Sequence, residues 1–418
     1  MAGPALGPSR YVALCVLALM LAVAYGVWYA YSVILVALLQ EFGWSRSLLA
    51  GAFSVFTLVH GGANPFVGAL CARFRPLAIM ATGGVAMGLA LLADSFIASP
   101  LGLYVFFGGF TALAVSASGW TPALVHVQRE YQDRVGLAMG IVSSGVGVGM
   151  LLVVPLTQLL IDAFGWRTAF RALGLLAVAW IVPASLWLMR ASRRAPAPKA
   201  GTAGPRTVEI RTRDFTLREA MRTQPFWLLV GAFFFGNFAS QTLHVHQVAH
   251  LVDHGLPAII AATVVGVVGF SSIIGKTGGG WLSDRTEREL VYVAGVAIMV
   301  VSALVLLALG AHPTALGAYG YAVLLGIGYS VTAALNPAML SDRFSGRHFG
   351  SIVGVGLLGS ALGSAAGPWL AGRLYDVTGS YTVPFLIAAG FGFIAMGAAW
   401  RARGLRVRAA MRAAEACP

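Results

Sequence analysis

The chain has 418 residues, 58% of them hydrophobic and only 10% charged, with a formal net charge of +13. An ordinary soluble domain carries about 25% charged residues, so these values exclude a soluble enzyme. They point instead to a chain that lives in lipid. The positive excess alone would suit nucleic acid or an anionic surface, but its placement decides between them.

Apolar runs of roughly twenty residues, each long enough to cross a hydrocarbon core, recur along the whole chain. They fall near 12–38, 48–70, 77–97, 101–127, 136–161, 168–189, 226–251, 257–282, 290–310, 314–340, 348–372 and 382–400. The first run is followed at once by others and has no small-residue cleavage site, so it reads as an anchor. With the N-terminus inside, Lys and Arg concentrate in the inner loops, and only Arg46, Arg167, Arg171 and Arg373 fall outside. That asymmetry puts both termini in the cytoplasm, and the partner of the positive charge is the bilayer, not nucleic acid. Cys15, Cys71 and Cys417 have no metal-binding or pairing pattern and read as packing residues plus a tail thiol.

In chain order, the first span carries Tyr25, Trp28, Tyr29 and Ser32 on one stripe, which lines a cavity or packs between helices. His60 and Asn64 on the second span suit interhelical hydrogen bonds. Residues 190–225 form a basic linker, then Thr216 and Glu219 make a capping box opening a short amphipathic helix. The seventh span is polar on two sides. Asn237, Gln241 and His244 form one stripe, and His246, His250 and Asp253 another. Such a span lies inside a bundle and is expected to break near its outer end. Its histidines suit interhelical bonds or a titrating pathway better than a metal, since no cysteine or buried carboxylate joins them. The eighth span holds Lys276 within an apolar stretch, sharing a face with Gly269, Ser272 and Gly280. A lysine there costs on the order of 2.5–3.5 kcal/mol on insertion scales and so faces the protein interior or a wet cavity. The tenth span aligns Tyr329, Thr332 and Asn336, with Pro337 expected to break the helix. The eleventh has a glycine ladder at Gly359, Gly363 and Gly367, a close-packing face. A basic stretch from Arg401 to Arg412 closes the chain against anionic headgroups.

The chain also repeats. Gly68-Ala-Leu70-Cys-Ala72-Arg73 returns as Gly280-Trp-Leu282-Ser-Asp284-Arg285, and Glu41-Phe-Gly43 returns as Asp253-His-Gly255, both 212 positions later. Arg129, Gly145, Gly149 and Gly165 match Arg343, Gly359, Gly363 and Gly379 at an offset of 214. Several matches in one register indicate two copies of a six-span unit in parallel orientation.

This pattern resembles the major facilitator superfamily over the whole chain. The resemblance implies an all-α membrane protein of twelve transmembrane helices in two pseudo-symmetric six-helix bundles. The expected parts are 1–189, a cytoplasmic linker at 190–225, 226–401, and a basic tail at 402–418. The family's Gly-x-Leu-x-Asp-Arg turn is intact at Gly280 to Arg285, but its first copy has Ala72 in place of Asp. Asp284, Arg285 and Arg73 are therefore the candidate gating residues. The fourth span has no arginine, and the fifth lacks the Gly-Pro motif of drug antiporters. The Pro225-Phe-Trp227 phrase, the His246 to Gly255 segment and Gly275-Lys276 look like the bacterial monocarboxylate and oxalate/formate branch, which implies a bacterial inner membrane. Spans one, four, seven and ten line the family's cavity. With Lys276 as the anion-pairing group, the candidate substrate residues are Tyr25, Tyr29, Thr121, Gln241, His246, Tyr329, Thr332 and Asn336.

The expected function is alternating-access transport of a small organic anion, coupled to a proton or a counter-anion, without a cofactor. No nucleophile–base pair or metal set supports an enzyme. Efflux of amphipathic compounds, or a non-transporting sensor, are the alternatives. The fifteen acids all fall in loops or near span ends, so no deep carboxylate is expected for proton coupling.

Overall fold

The computed structural model describes residues 8–132, 134–194, 215–344 and 348–415. The 195–214 part of the linker and residues 416–418 of the tail lie outside them. The described residues are helical, with no strand among them. Helix α1 (Pro8–Phe42) is followed by α2 (Arg46–Arg73), α3 (Pro76–Asp94), α4 (Pro100–Glu130) and α5 (Val135–Arg194). After the short α6 (Leu217–Met221) come α7 (Gln224–Asp253), α8 (Ala258–Ser283), α9 (Arg288–Ala311), α10 (Ala315–Phe344), α11 (Phe349–Thr378) and α12 (Thr382–Glu415). Eleven of these are long and apolar enough to cross a membrane.

The helices begin and end where local chemistry dictates. Ser45 caps α2 by accepting from the Leu48 amide, and Ser99 does the same for α4 from Gly102. Pro76 opens α3 at a position where its missing N–H costs nothing. The capping box at α6 is present: Glu219 donates its amide to Thr216 Oγ1, and the Thr216 amide donates to Glu219 Oε2. At 60 residues, α5 would run roughly 90 Å if straight, about three hydrocarbon thicknesses. It is not straight. Gly165, at φ 79° and ψ 161°, interrupts it and leaves helical pieces over 135–164 and 166–194.

The positive-φ residues among those described are four glycines: Gly43, Gly165, Gly255 and Gly379. They are two pairs of repeat partners, Gly43 with Gly255 and Gly165 with Gly379. The sequence repeat is therefore also a repeat in backbone conformation, at turns only glycine enters without strain. Gly379 closes α11 in the left-handed cap position, its amide bonded to Tyr375 O at 2.7 Å.

Two compact units result. One comprises Met1–Glu209 with Leu256–Phe270, the other Ile210–Gly255 with Ser271–Pro418. In the first, α1 packs on α5 at Gly145 and Gly149, where an added Cβ would overlap the carbonyl oxygens of Ala18 and Ala22. In the second, α7 packs on α11 at Gly359, Gly363 and Gly367, against the carbonyls of Val230, Phe234 and Phe238. The glycine ladder is a close-packing face, as its spacing indicates.

Two expectations change. The seventh span does not break: α7 runs continuously over 30 residues. Nor does Pro337 break α10, which continues to Phe344 with the proline inside it. The irregularity lies in α4 instead. Its Tyr104–Thr111 segment has π-helical hydrogen bonding, and it bends at Gly119 (φ −98°, ψ −140°).

Gly363→Ala is expected to lower thermal stability, by ~1–3 kcal/mol for an overpacked contact that backbone cannot vacate. Gly354 in the same helix has nothing within 4 Å of an added Cβ, so Gly354→Ala should be neutral or stabilising by ~0.5–1 kcal/mol. Melting curves of the two purified variants check the contrast.

Candidate functional site

Within the second unit, Lys276 lies seven residues before the end of α8 at Ser283, roughly 10 Å along the axis. It thus stands between the middle of the helix and that end, slightly nearer the middle. Gly275 sits against Ile327 and Ser330 of α10, and Gly279 against Val331. Lys276, between these contacts, is at the level of Tyr329. Its face changes character along the helix. Gly269 is tightly packed and Ser272 fully buried, whereas Gly280 has nothing within 4 Å of an added Cβ. Lys276 itself is half-buried.

Tyr329 is buried and meets His244 of α7 edge-on at 4.6 Å between ring centroids. Thr332 donates to the Tyr329 carbonyl at 2.7 Å, and Asn336 Nδ2 donates to Ser360 Oγ of α11 at 3.4 Å. Asn336 Oδ1 and Gln241 Oε1 are buried side-chain oxygens with no hydrogen-bond partner among the described residues. Such atoms cost ~1–3 kcal/mol unless something else satisfies them. Tyr329, Thr332 and Asn336 are thus buried on α10, Tyr329 against α7 and Asn336 towards α11, while Gly275 and Gly279, on either side of Lys276, pack on α10.

His246 behaves differently. It is fully buried, with Nε2 2.9 Å from Pro368 O of α11 and Nδ1 3.0 Å from the hydroxyl of Tyr381, the residue just before α12. The carbonyl only accepts, so Nε2 carries the proton and Nδ1 accepts from Tyr381. Both nitrogens are engaged in joining three helices. His250 likewise reaches Leu306 O of α9 at 3.0 Å, and Gln247 Oε1 accepts from Tyr321 of α10 at 3.1 Å. The polar seventh span is the hydrogen-bonding post of its unit.

Within the first unit, Thr121 donates to Asn64 Oδ1 at 2.8 Å, joining α4 to α2 just past the Gly119 bend. Tyr25 lies against the Gly119 bend, its hydroxyl 3.5 Å from where a Cβ there would stand. Tyr25, Trp28 and His60 form an aromatic cluster, with Trp28 to His60 edge-on at 4.8 Å and Tyr29 beyond Trp28 at 6.3 Å. Trp28 Nε1 and His60 Nε2 have no hydrogen-bond partner among the described residues.

Of the candidate gating residues, Arg73 and Asp284 are exposed, and the Arg285 guanidinium stacks on Trp281 at 3.8 Å. Sequence reasoning missed the ion pairs beside them. Arg403 makes a forked contact with Glu287 at 2.6 and 3.0 Å, Arg288 pairs with Asp342 at 2.6 Å, and the buried Glu289 pairs with Arg343 at 3.3 Å and Arg406 at 3.0 Å. The available signal was Glu287 and Glu289 standing directly after the Asp284-Arg285 turn. A deep carboxyl was also missed. Asp94, the last residue of α3, is fully buried and accepts from Thr111 at 2.7 Å. This corrects the expectation that none lies in the interior: a position near a span end is not exposed when α4 covers it.

Against this geometry, the model of the Major Facilitator Superfamily matches residues 17–319 and, in a second match, 252–416. The chain belongs to the Major Facilitator Superfamily. This superfamily member is 29% identical to bovine monocarboxylate transporter 13 over 378 residues, covering 88% of this chain and 84% of the relative. It is 27% identical to mouse monocarboxylate transporter 4 over 366 residues, covering 86% and 76%. Among solved structures, it matches a bacterial homologue of the human lysosomal transporter Spinster, with a TM-score of 0.68 and 18% identity over 95% of this chain and 99% of that one. That last likeness bears on the fold alone. The chain is a multi-pass membrane transporter, and its family is not one of enzymes.

Glu287 lies between the spanning segments, and the hydrogen bonds from Arg403 hold its carboxyl below the ordinary value. A carboxyl depressed in the folded state contributes stability above its unfolded pKa, near ~4.3 for glutamate. That contribution is lost as pH falls through the folded value. The difference in melting temperature between wild type and Glu287→Gln should therefore be constant near neutrality and vanish in acid. A gap that persists below about pH 3 would mean the side chain acts through packing.

Proposed function

We propose that the chain is a secondary transporter of small organic anions, monocarboxylates foremost, in which Lys276 pairs with the substrate carboxylate. The observation that carries the reading is a half-buried lysine on an apolar helix, at the level of Tyr329 and next to open space at Gly280. An ammonium in low dielectric gains most from a partner that arrives already charged. Both named relatives being monocarboxylate transporters supports the same substrate class.

In this reading Tyr329, Thr332, Asn336 and Gln241 supply polar contacts on the Lys276 side; the unpartnered Asn336 Oδ1 and Gln241 Oε1 are acceptors, so it is the Nδ2 and Nε2 groups of these side chains that would donate to a carboxylate. Within the first unit, Tyr25, Tyr29 and Thr121 are the candidate substrate residues. His246 takes a structural part, because both its nitrogens are committed. The reading further takes the chain as twelve spans, counting α5 as two about Gly165, with both termini cytoplasmic and transport by alternating access. Arg73, Asp284 and Arg285 gate the inner side.

Thermal stabilisation of the purified protein by a panel of small carboxylates tests the assignment. A ligand at about 100 Kd adds roughly 2.7 kcal/mol to the folded state, enough to shift the melt. One or more carboxylates should stabilise wild type and lose that effect on Lys276→Ala, with the ligand-free melt of the variant retained. Equal stabilisation of both proteins would make Lys276 structural.

A further inference from the structure

The two units are repeats, but their charge differs at the turn that follows the second span of each, between α2 and α3 in the first and between α8 and α9 in the second. In unit 2, Glu289 is 2% exposed and neutralises Arg343 and Arg406, while Glu287 takes Arg403. In the repeat register of 212, Glu287 corresponds to Arg75 and Glu289 to Leu77; in the register of 214, Arg343 corresponds to Arg129. The first unit has kept the arginine and replaced both carboxylates, one of them by a further arginine.

A cavity of about 270 Å³ opens at that place, lined by Arg75, Leu77, His126, Arg129 and Glu130 among others. Arg129 donates to Cys71 O at 2.7 Å from one nitrogen, leaving the rest of its fork for other acceptors. His126, 6% exposed, lines the cavity and makes no hydrogen bond among the described residues. The N-terminus of α3 opens here as well. Arg75 is its N-cap, Pro76 has no N–H, and the Ala78 amide donates to Arg75 O at 2.9 Å, so the Leu77 amide alone is left over in the first turn. Glu130 is the one carboxylate on the lining, and it is exposed.

We propose that this cavity binds a phosphate-bearing anion, which stands where the Glu289 carboxylate stands in unit 2. Two arginines and a histidine line it, more donors than the two oxygens of a carboxylate accommodate and well matched to a tetrahedral phosphate. The phosphate is presented either by a lipid headgroup at the membrane surface or by a soluble phosphoester. The site is separate from Lys276, and its test does not depend on the substrate.

The test measures binding of inorganic phosphate and of a short-chain phosphatidylglycerol to the full-length purified protein, by calorimetry and by native mass spectrometry. Wild type, Arg75→Glu and Leu77→Glu are compared. Each acidic substitution restores a carboxylate that unit 2 has, and should weaken binding at least tenfold by filling the site from within. Arg75 is exposed, so its variant keeps the test valid even where Leu77→Glu fails to fold. Binding of both probes identifies a soluble anion as sufficient, and binding of the lipid alone identifies the headgroup; both outcomes support the site. It is overturned if neither probe binds wild type, or if Arg75→Glu weakens binding less than tenfold.

Discussion

In hydrocarbon, a polar group must find its partner within the protein. Most of this molecule obeys that constraint locally. Thr57, Thr157, Ser302 and Ser330 return their hydroxyls to carbonyls one turn back on their own helices. The glycines of α5 and α11 bring backbones into contact with α1 and α7, so dispersion and close approach replace the hydrophobic effect that lipid does not supply. The histidines of α7 reach carbonyls on α9 and α11. With so much polarity satisfied, the exceptions carry information. The Gln241 and Asn336 oxygens and the Trp28 and His60 nitrogens are buried without a partner among the described residues.

The spans were legible because hydropathy is a property of composition over twenty residues, and lipid tolerates little else. The helices extend several residues beyond the apolar runs, since polar ends still prefer helix to exposed amides. The repeat was legible at Gly43, Gly165, Gly255 and Gly379 because positive φ demands one residue type. The glycine ladder was legible for a similar reason, close approach being written in the absence of a side chain.

Other features leave no such mark. His246 reads from the sequence as a substrate residue as readily as a structural one, because its acceptor is the Pro368 carbonyl and every residue has a carbonyl. The Glu287 to Arg403 pair joins positions 116 residues apart, and nothing in either neighbourhood specifies the other. The π-helical segment of α4 and the continuity of α10 through Pro337 depend on neighbouring helices, not on local propensity. Asp94 looked peripheral by position alone; its burial follows from α4 packing over the end of α3.

The account rests on Lys276 as the group that makes an anion welcome in an apolar bundle. The most direct measurement is uptake of a radiolabelled monocarboxylate into proteoliposomes holding equal amounts of wild type or Lys276→Ala. The account predicts saturable uptake by wild type and a rate at the empty-liposome background for the variant. Undiminished, saturable uptake by Lys276→Ala would contradict it.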